Sequence, residues 1–181
     1  MKLYAVLIFD EDHNLIYTNY NLDDFYFFVR NKIEDTVKLV STELIKYVKL
    51  NSNYKINETI ENNKFVIYGI TTNKFYIAIT NEEYPQRVAF TLLDKLKNSK
   101  FNKSEFDNLF NSYKDANEID TILKLKNELN ETKLILLDSI DKVIDRGENM
   151  DELLKKAEGL NETSTLLRRK TKDMNSCCII F

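Results

Sequence analysis

The spacing of apolar residues changes several times along the chain, and each spacing predicts a different element. Residues 3–9 are a nearly continuous apolar run of strand length, and residues 15–20 follow after a polar turn. This pattern is typical of two paired strands in a sheet with a covered face. Apolar residues then recur every three or four positions from Ile33 to Val48, which predicts an amphipathic helix over roughly residues 31–50.

Three more strands and two helices follow in the pattern. The strands are expected at residues 54–61, 64–70 and 74–80, with short polar turns between them. A helix is expected to begin with Pro85 at its first position, and a last short helix precedes the end of the domain. This order predicts an α+β domain over residues 1–112, with an antiparallel-rich five-stranded sheet flanked by helices.

Two apolar groups stand apart from these periodic patterns. Residues 23–29 are rich in aromatic side chains, and we expect them to be irregular or to form a short turn that fills the core. Leu39 and Leu50 fall off the apolar stripe of the first helix. We therefore expect both leucines to be partly exposed, where they can contact another segment of the chain.

From Asp115 onward the strand signal disappears, and the sequence reads as one long helix to about Met174. A helical pattern of this length indicates a coiled coil rather than a globular helix. Alternating steps of three and four residues give a single seam, in which most positions are apolar and several others are small hydroxyl residues. The apolar seam positions are Ile122, Leu125, Leu129, Leu136, Val143, Met150, Leu153, Ala157, Leu160, Leu167 and Met174.

Arg146 interrupts this seam at its centre. A guanidinium inside an apolar core is costly unless partners supply hydrogen-bond acceptors, so Arg146 can serve as a device that fixes the register of a helical bundle. The other interpretation is that the seam fails at this point and the side chain faces water. The position alone leaves both interpretations open.

A second, shorter apolar stripe lies beside the seam. Leu137, Ile140 and Ile144 form it, with Leu134 and Ile135 close by. One hypothesis is that this part folds back on the N-terminal domain when no bundle is formed. The alternative is that these residues occupy flanking positions and widen the core of the bundle.

Composition excludes several classes of function. A net charge of −3 gives no general attraction to nucleic acid, and the N-terminus lacks a secretory signal. The single histidine, His13, lies in an acidic, turn-like stretch, and only three glycines are present, so His-based catalysis, a zinc site and a phosphate-binding glycine loop all lack their residues. We expect no catalytic residue, no metal and no cofactor. No apolar stretch approaches the ~20 residues that a spanning helix needs.

At this point the residues resemble a known family. Asp141–Glu148 is similar to the centre of an R-SNARE motif, and Tyr84–Leu93 is similar to a segment of the longin domain. With the terminal Asn175-Ser176-Cys177-Cys178, the chain resembles the prenylated longin-domain R-SNAREs, the YKT-type synaptobrevin homologs.

The resemblance implies a profilin-like longin domain at 1–112, a linker at 113–120, an R-SNARE coiled-coil helix at 121–174 and a lipidation tail at 175–181. It implies that the helix joins Qa, Qb and Qc SNARE helices in a four-helix bundle that drives fusion of vesicle and target membranes. Arg146 is then the zero-layer residue, and the longin domain inhibits the helix by folding over it. The alternative is a lipid-anchored longin regulator, or an acyl-transfer factor, that acts on SNARE-dependent traffic without driving fusion.

The last four residues, Cys178-Ile179-Ile180-Phe181, fit the prenylation pattern, and a terminal Phe favours geranylgeranyl over farnesyl. Cys177 is then placed for palmitoylation, and a basic run at 168–172 supports attachment to acidic lipid. A protein prenyltransferase is the implied partner. The expected location is the cytosol and the cytoplasmic face of Golgi, vesicle and other endomembranes. The plainer alternative is that this apolar tail packs on the domain.

Overall fold

The computed structural model describes residues 1–60, 63–117, 119–120 and 134–137. These residues form six strands and three helices. The strands are β1 (Leu3–Phe9), β2 (Leu15–Tyr20), β3 (Asn53–Ile60), β4 (Asn63–Thr71), β5 (Phe75–Asn81) and β6 (Leu134–Leu137), and the helices are α1 (Phe27–Ile45), α2 (Gln86–Asn98) and α3 (Lys103–Tyr113).

One sheet carries the fold, with strand order β2-β1-β5-β4-β3-β6. The pairings among the first five strands are antiparallel, whereas β6 runs parallel to β3. Alternate residues of β1 face opposite sides of the sheet, as the period of a strand requires. Val6 and Ile8 pack with α2 and α3, whereas Ala5, Leu7 and Phe9 pack with α1. The sheet is therefore covered on both faces, which explains why β1 reads as a nearly continuous apolar run.

The structure confirms the α+β class, the five antiparallel strands and the flanking helices that the apolar pattern predicts. The first helix begins at Phe27 and ends at Ile45, earlier at both ends than the predicted 31–50. Pro85 is the N-cap of α2 with an extended backbone, not its first helical residue. His13 lies in the turn between β1 and β2, is exposed, and has a φ of 64°, so the turn interpretation is confirmed.

The expectation that residues 23–29 fill the core is wrong for three of the aromatic side chains. Tyr26, Phe27 and Phe28 are 77%, 85% and 79% exposed. The core on the α1 side is already filled by Val40 and Leu44 of α1 and by aliphatic and aromatic side chains of the sheet. The aromatic side chains at the start of α1 are therefore not needed to complete this core, and they remain exposed.

The prediction of one continuous helix through the C-terminal segment is wrong at residues 134–137, which form β6 in the free chain. The Leu-Ile-Leu-Leu sequence is apolar at four consecutive positions, so it fits a strand on an open sheet edge as well as it fits a helix. Pairing with the sheet selects the strand, because β3 offers an unpaired row of backbone donors and acceptors on its outer side.

Candidate functional site

The outer edge of β3 receives residues 134–137 as a parallel strand. Asn53 is aligned with Leu134, Tyr54 with Ile135, Lys55 with Leu136, and Ile56 with Leu137. This is addition of a strand from a distant part of the chain to a sheet edge, the arrangement by which sheets bind extended peptides. We call this pairing the edge site: residues 53–56 of β3 and residues 134–137 of β6.

The two faces of the edge site differ. Tyr54 and Ile56 are buried in the core beneath α1, and Ile135, which is aligned with Tyr54, is 38% exposed. Leu136 alternates to the opposite face, beside Lys55, and is 67% exposed. Of these two β6 side chains, Ile135 is therefore the more buried, and Leu136 remains accessible to solvent.

Tyr54 is the rigid element under the edge site. Its ring passes directly over Gly69 of β4, its antiparallel partner, where an added Cβ would lie 1.9 Å from Cζ of Tyr54. The ring is buried, and burial raises the pKa of its hydroxyl well above the ordinary value. Among the described residues no group hydrogen-bonds this hydroxyl. Gly69 is thus the residue that lets Tyr54 lie flat against the sheet.

The chain that leaves the domain is fixed to it up to residue 120. The hydroxyl of Tyr84 donates to the carbonyl of Tyr113 at 2.8 Å, and the Leu3 N–H donates to the carbonyl of Lys114 at 3.2 Å. The Asp120 side chain is 5% exposed and forms an ion pair with Arg87 near the start of α2. The predicted first seam position, Ile122, follows Asp120 by two residues in the sequence.

The structure brings only part of the predicted site into view. Leu136, expected in the seam, and Leu137, expected in the second stripe, both lie in β6 and are aligned with Lys55 and Ile56. The other predicted site residues lie outside the described residues. They are Ile122, Leu125, Leu129, Ile140, Val143, Ile144, Arg146, Met150, Leu153, Ala157, Leu160, Leu167, Cys177 and Cys178.

Comparisons with known proteins decide the family. The family model described as Regulated-SNARE-like domain (Longin) matches residues 22–123, and the Synaptobrevin model matches residues 121–179. The chain belongs to the longin-domain synaptobrevin family. The synaptobrevin homolog ykt6 of Schizosaccharomyces pombe is 30% identical over an alignment that covers 99% of this chain and 100% of that protein. The synaptobrevin homolog YKT6 of Saccharomyces cerevisiae is 31% identical over 68% of this chain and 72% of that protein.

This membership makes the chain an R-SNARE with a role in vesicle fusion and with other SNAREs as its partners. The residues matched by the longin model, 22–123, include α1, β3, β4, β5, α2 and α3. Within the described ranges, no helix is long and apolar enough to cross a membrane. The same ranges contain no group of three or more His, Cys, Asp or Glu side chains that could hold a metal ion.

Sequence reasoning missed both the β3 partner of the edge site and the Arg87–Asp120 ion pair. The unbroken apolar run at 134–137 is a signal for a strand, but the helical seam that contains it is a stronger one. The ion pair has no local signal, because its members are 33 positions apart and become neighbours only through the fold.

Proposed function

We propose that the longin domain holds this R-SNARE in a closed form through the edge site, and that assembly with Qa, Qb and Qc SNARE helices removes β6 from the sheet. The observation that carries the proposal is the position of Leu136, a predicted seam residue that lies in a strand of the domain. The zero-layer arginine, Arg146, belongs to the central layer of the bundle that then forms.

The two states of residues 134–137 exclude each other for a geometric reason. A strand rises about 3.3 Å per residue and alternates its side chains, whereas a helix rises 1.5 Å and repeats every 3.6 residues. Leu136 can share a helical seam with Leu129 and Val143 only when β6 is no longer a strand. A bundle layer at this position therefore requires that the edge site be open.

The edge site is short enough to open readily. It pairs four residues on each strand. Each backbone hydrogen bond contributes about 0.5–1.5 kcal/mol net, so the pairing is worth a few kcal/mol. A gap of that size leaves the minor state populated at about 0.1–10%. Q-SNARE helices can therefore capture an open form that already exists, and the domain slows assembly rather than preventing it.

The proposed membrane attachment is covalent. Cys178 carries a geranylgeranyl or farnesyl group, added by a protein prenyltransferase, and Cys177 carries a palmitoyl group. A single chain gives marginal, reversible attachment, whereas two chains anchor stably. The protein then divides between the cytosol and the cytoplasmic face of Golgi and other endomembranes. The mass of the C-terminal peptide isolated from cells tests this part directly.

A disulfide across the edge site tests the closed form. Asn53 and Leu134 are aligned, and neighbouring strands lie about 4.7–4.9 Å apart, within the range that a disulfide spans. The variant Asn53→Cys/Leu134→Cys, with Cys177→Ser and Cys178→Ser, should cross-link on mild oxidation. Neither position belongs to the predicted seam, so reduction should restore ordinary assembly with Q-SNARE helices. We expect the oxidised form to give no heat-stable four-helix complex.

The matched control is Asn53→Cys/Leu137→Cys in the same background. Leu137 is aligned with Ile56, three residues from Asn53, which displaces the two thiols by roughly 10 Å along the strands. This pair should remain reduced and assemble at the same rate in both conditions. Equal cross-linking of both pairs, or full assembly of the oxidised Asn53–Leu134 form, contradicts the closed form. Failure of the reduced protein to assemble contradicts the bundle itself.

A further inference from the structure

Three consecutive aromatic side chains form an exposed ridge at the start of α1. Tyr26, Phe27 and Phe28 are 77%, 85% and 79% exposed, although large aromatic side chains usually bury most of their surface. Exposed apolar residues are ordinary when they are scattered, whereas a contiguous group marks an interaction surface. We call these three residues the aromatic ridge.

The ridge is held in place by its base. Arg30 donates from Nε to the carbonyl of Phe25 at 3.0 Å and from Nη2 to the carbonyl of Asp23 at 3.3 Å. The ring of Phe25 packs edge-on against Tyr4, with ring centroids 5.5 Å apart. On the ridge itself, Tyr26 and Phe28 stack with their ring planes 9° from parallel. The rings are therefore displayed by an ordered turn, so little conformational freedom is lost when they bind.

The shape and charge of the aromatic ridge indicate the kind of partner that it binds. Side chains about four-fifths exposed project into solvent, so they can enter a soft apolar layer without a preformed pocket. The acidic residues at the base are paired, Asp23 with Arg30 and Asp24 with Lys2. The ridge therefore carries no unbalanced negative charge toward an anionic surface. Aromatic rings that are apolar with one polar tip, such as Tyr26, favour the boundary between headgroups and acyl chains.

We propose that the aromatic ridge inserts into the headgroup region of the membrane to which the chain is attached. The proposal depends on the proposed function in one respect, namely that lipid on Cys177 and Cys178 tethers the chain to the membrane. From Asp120 to Cys177 the chain spans 57 residues, about 86 Å as a straight helix and more when extended, whereas the radius of gyration of a domain of this size is about 13 Å. The tether thus permits contact with the bilayer and keeps the domain at a high effective concentration beside it, so a weak surface is sufficient.

The composition of the chain supplies the probe. The sequence has no Trp, so Phe28→Trp introduces a single reporter on the ridge. The only two cysteines are Cys177 and Cys178, so coupling to a maleimide phospholipid attaches the full chain at the positions proposed for lipidation. On phosphatidylcholine vesicles, we expect the tryptophan emission to shift to the blue and to be quenched by lipids brominated on the acyl chains.

The contribution of the aromatic ridge to binding is measured with the chain that is not coupled to lipid, from its partition between water and the vesicles. Phe27→Ser should lower binding to the same vesicles by about tenfold or more, because most of a phenylalanine ring then no longer leaves water. The matched control is Leu50→Ser, which removes an apolar side chain that is 60% exposed and lies five residues beyond the end of α1. This control should leave binding unchanged, and neither substitution should change the melting temperature by more than a few degrees, since both positions face solvent.

Two results overturn the proposal. In one, the tethered Phe28→Trp chain keeps the emission of a tryptophan in water and is not quenched. In the other, emission shifts with protein concentration in the absence of lipid, which assigns the ridge to a second copy of the chain. Neither result bears on the edge site, because the disulfide between positions 53 and 134 reports on that site without lipid.

Discussion

Gly69→Ala gives the sharpest test of how the sheet supports the edge site. Gly69 lies in β4 with Tyr54 as its antiparallel partner, and an added Cβ would lie 1.9 Å from Cζ and 2.4 Å from Cε1 of that ring. Ordinary contact begins at 3.4 Å, so the ring or the backbone must move by about 1.5 Å. The ring has little room, since Tyr54 is buried in the core beneath α1.

The expected loss can be bounded from this geometry. Overpacking a filled core costs about 1–3 kcal/mol and occasionally more, and a displacement of a whole aromatic ring belongs at the upper end. Alanine is better than glycine inside a strand by roughly 0.5–1 kcal/mol, which offsets a small part. We expect a net loss of about 2–3 kcal/mol, seen in urea unfolding followed by circular dichroism as a midpoint lower by about 1 M or more.

A double-mutant cycle assigns the cause. Tyr54→Ala alone should cost about 3–5 kcal/mol through the cavity that it leaves, and adding Gly69→Ala should then be neutral or slightly favourable. Tyr54→Phe is the control, because it removes only the hydroxyl and leaves Cζ in place, so Gly69→Ala should remain costly beside it. If Gly69→Ala is harmless in the natural sequence, or equally costly without the ring, the argument from the Tyr54–Gly69 contact is refuted.

Three further predictions concern other parts of the domain. Asn102→Ala should cost about 1 kcal/mol in urea unfolding, because the Asn102 side chain accepts from the Glu105 N–H at 3.0 Å while the Glu105 side chain accepts from the Asn102 N–H at 2.8 Å. Burial raises the pKa of Tyr20 from 10.0 to about 12. The buried neutral hydroxyl therefore contributes fully to the stability of the domain below pH 10, and this contribution is lost as the pH rises toward 12. Tyr20→Phe should reduce that alkaline loss in thermal melts. Arg87→Ala removes the cation paired with Asp120, so it should lower the free energy of unfolding by about 1.5–3 kcal/mol and speed hydrogen exchange at residues 116–120. Unchanged exchange would contradict the inference that the chain is fixed to the domain up to residue 120.

The helices and strands of the domain are predictable from sequence where the spacing of apolar residues has the period of a helix or of a strand. The strand runs at 3–9 and 15–20 and the helical face after Pro85 reflect burial against a single sheet, and local pattern reports burial directly. The ridge was mispredicted because aromatic composition is evidence for burial only on average. Whether Phe27 and Phe28 are covered depends on which other residues fill the core. On the α1 side that core is filled by later residues of α1 and by side chains of the sheet, Tyr54 among them.

The candidate site was less predictable for a different reason. The pairing of residues 134–137 with residues 53–56 joins segments about 80 positions apart, and neither segment alone specifies the other. Gly69 carries a signal that the sequence prediction did not use, since an isolated glycine inside a strand indicates a close approach of another group. Identifying Tyr54 as the group that approaches it requires the register of β3 on β4.

The exposures of Ile135 and Leu136 also bear on how the proposed closed form is stabilised. Leu136 is 67% exposed in β6, so leaving the sheet costs this seam residue little apolar burial. Backbone pairing contributes to the proposed closed form, and of the two β6 side chains that the structure describes, Ile135 is more buried than Leu136. Side-chain changes at Leu136 should therefore weaken the bundle while leaving the closed form intact, whereas Ile135→Ala should weaken the closed form and leave the seam unchanged. One apolar run can serve both states because adjacent residues, on opposite faces of the strand, are used by different partners.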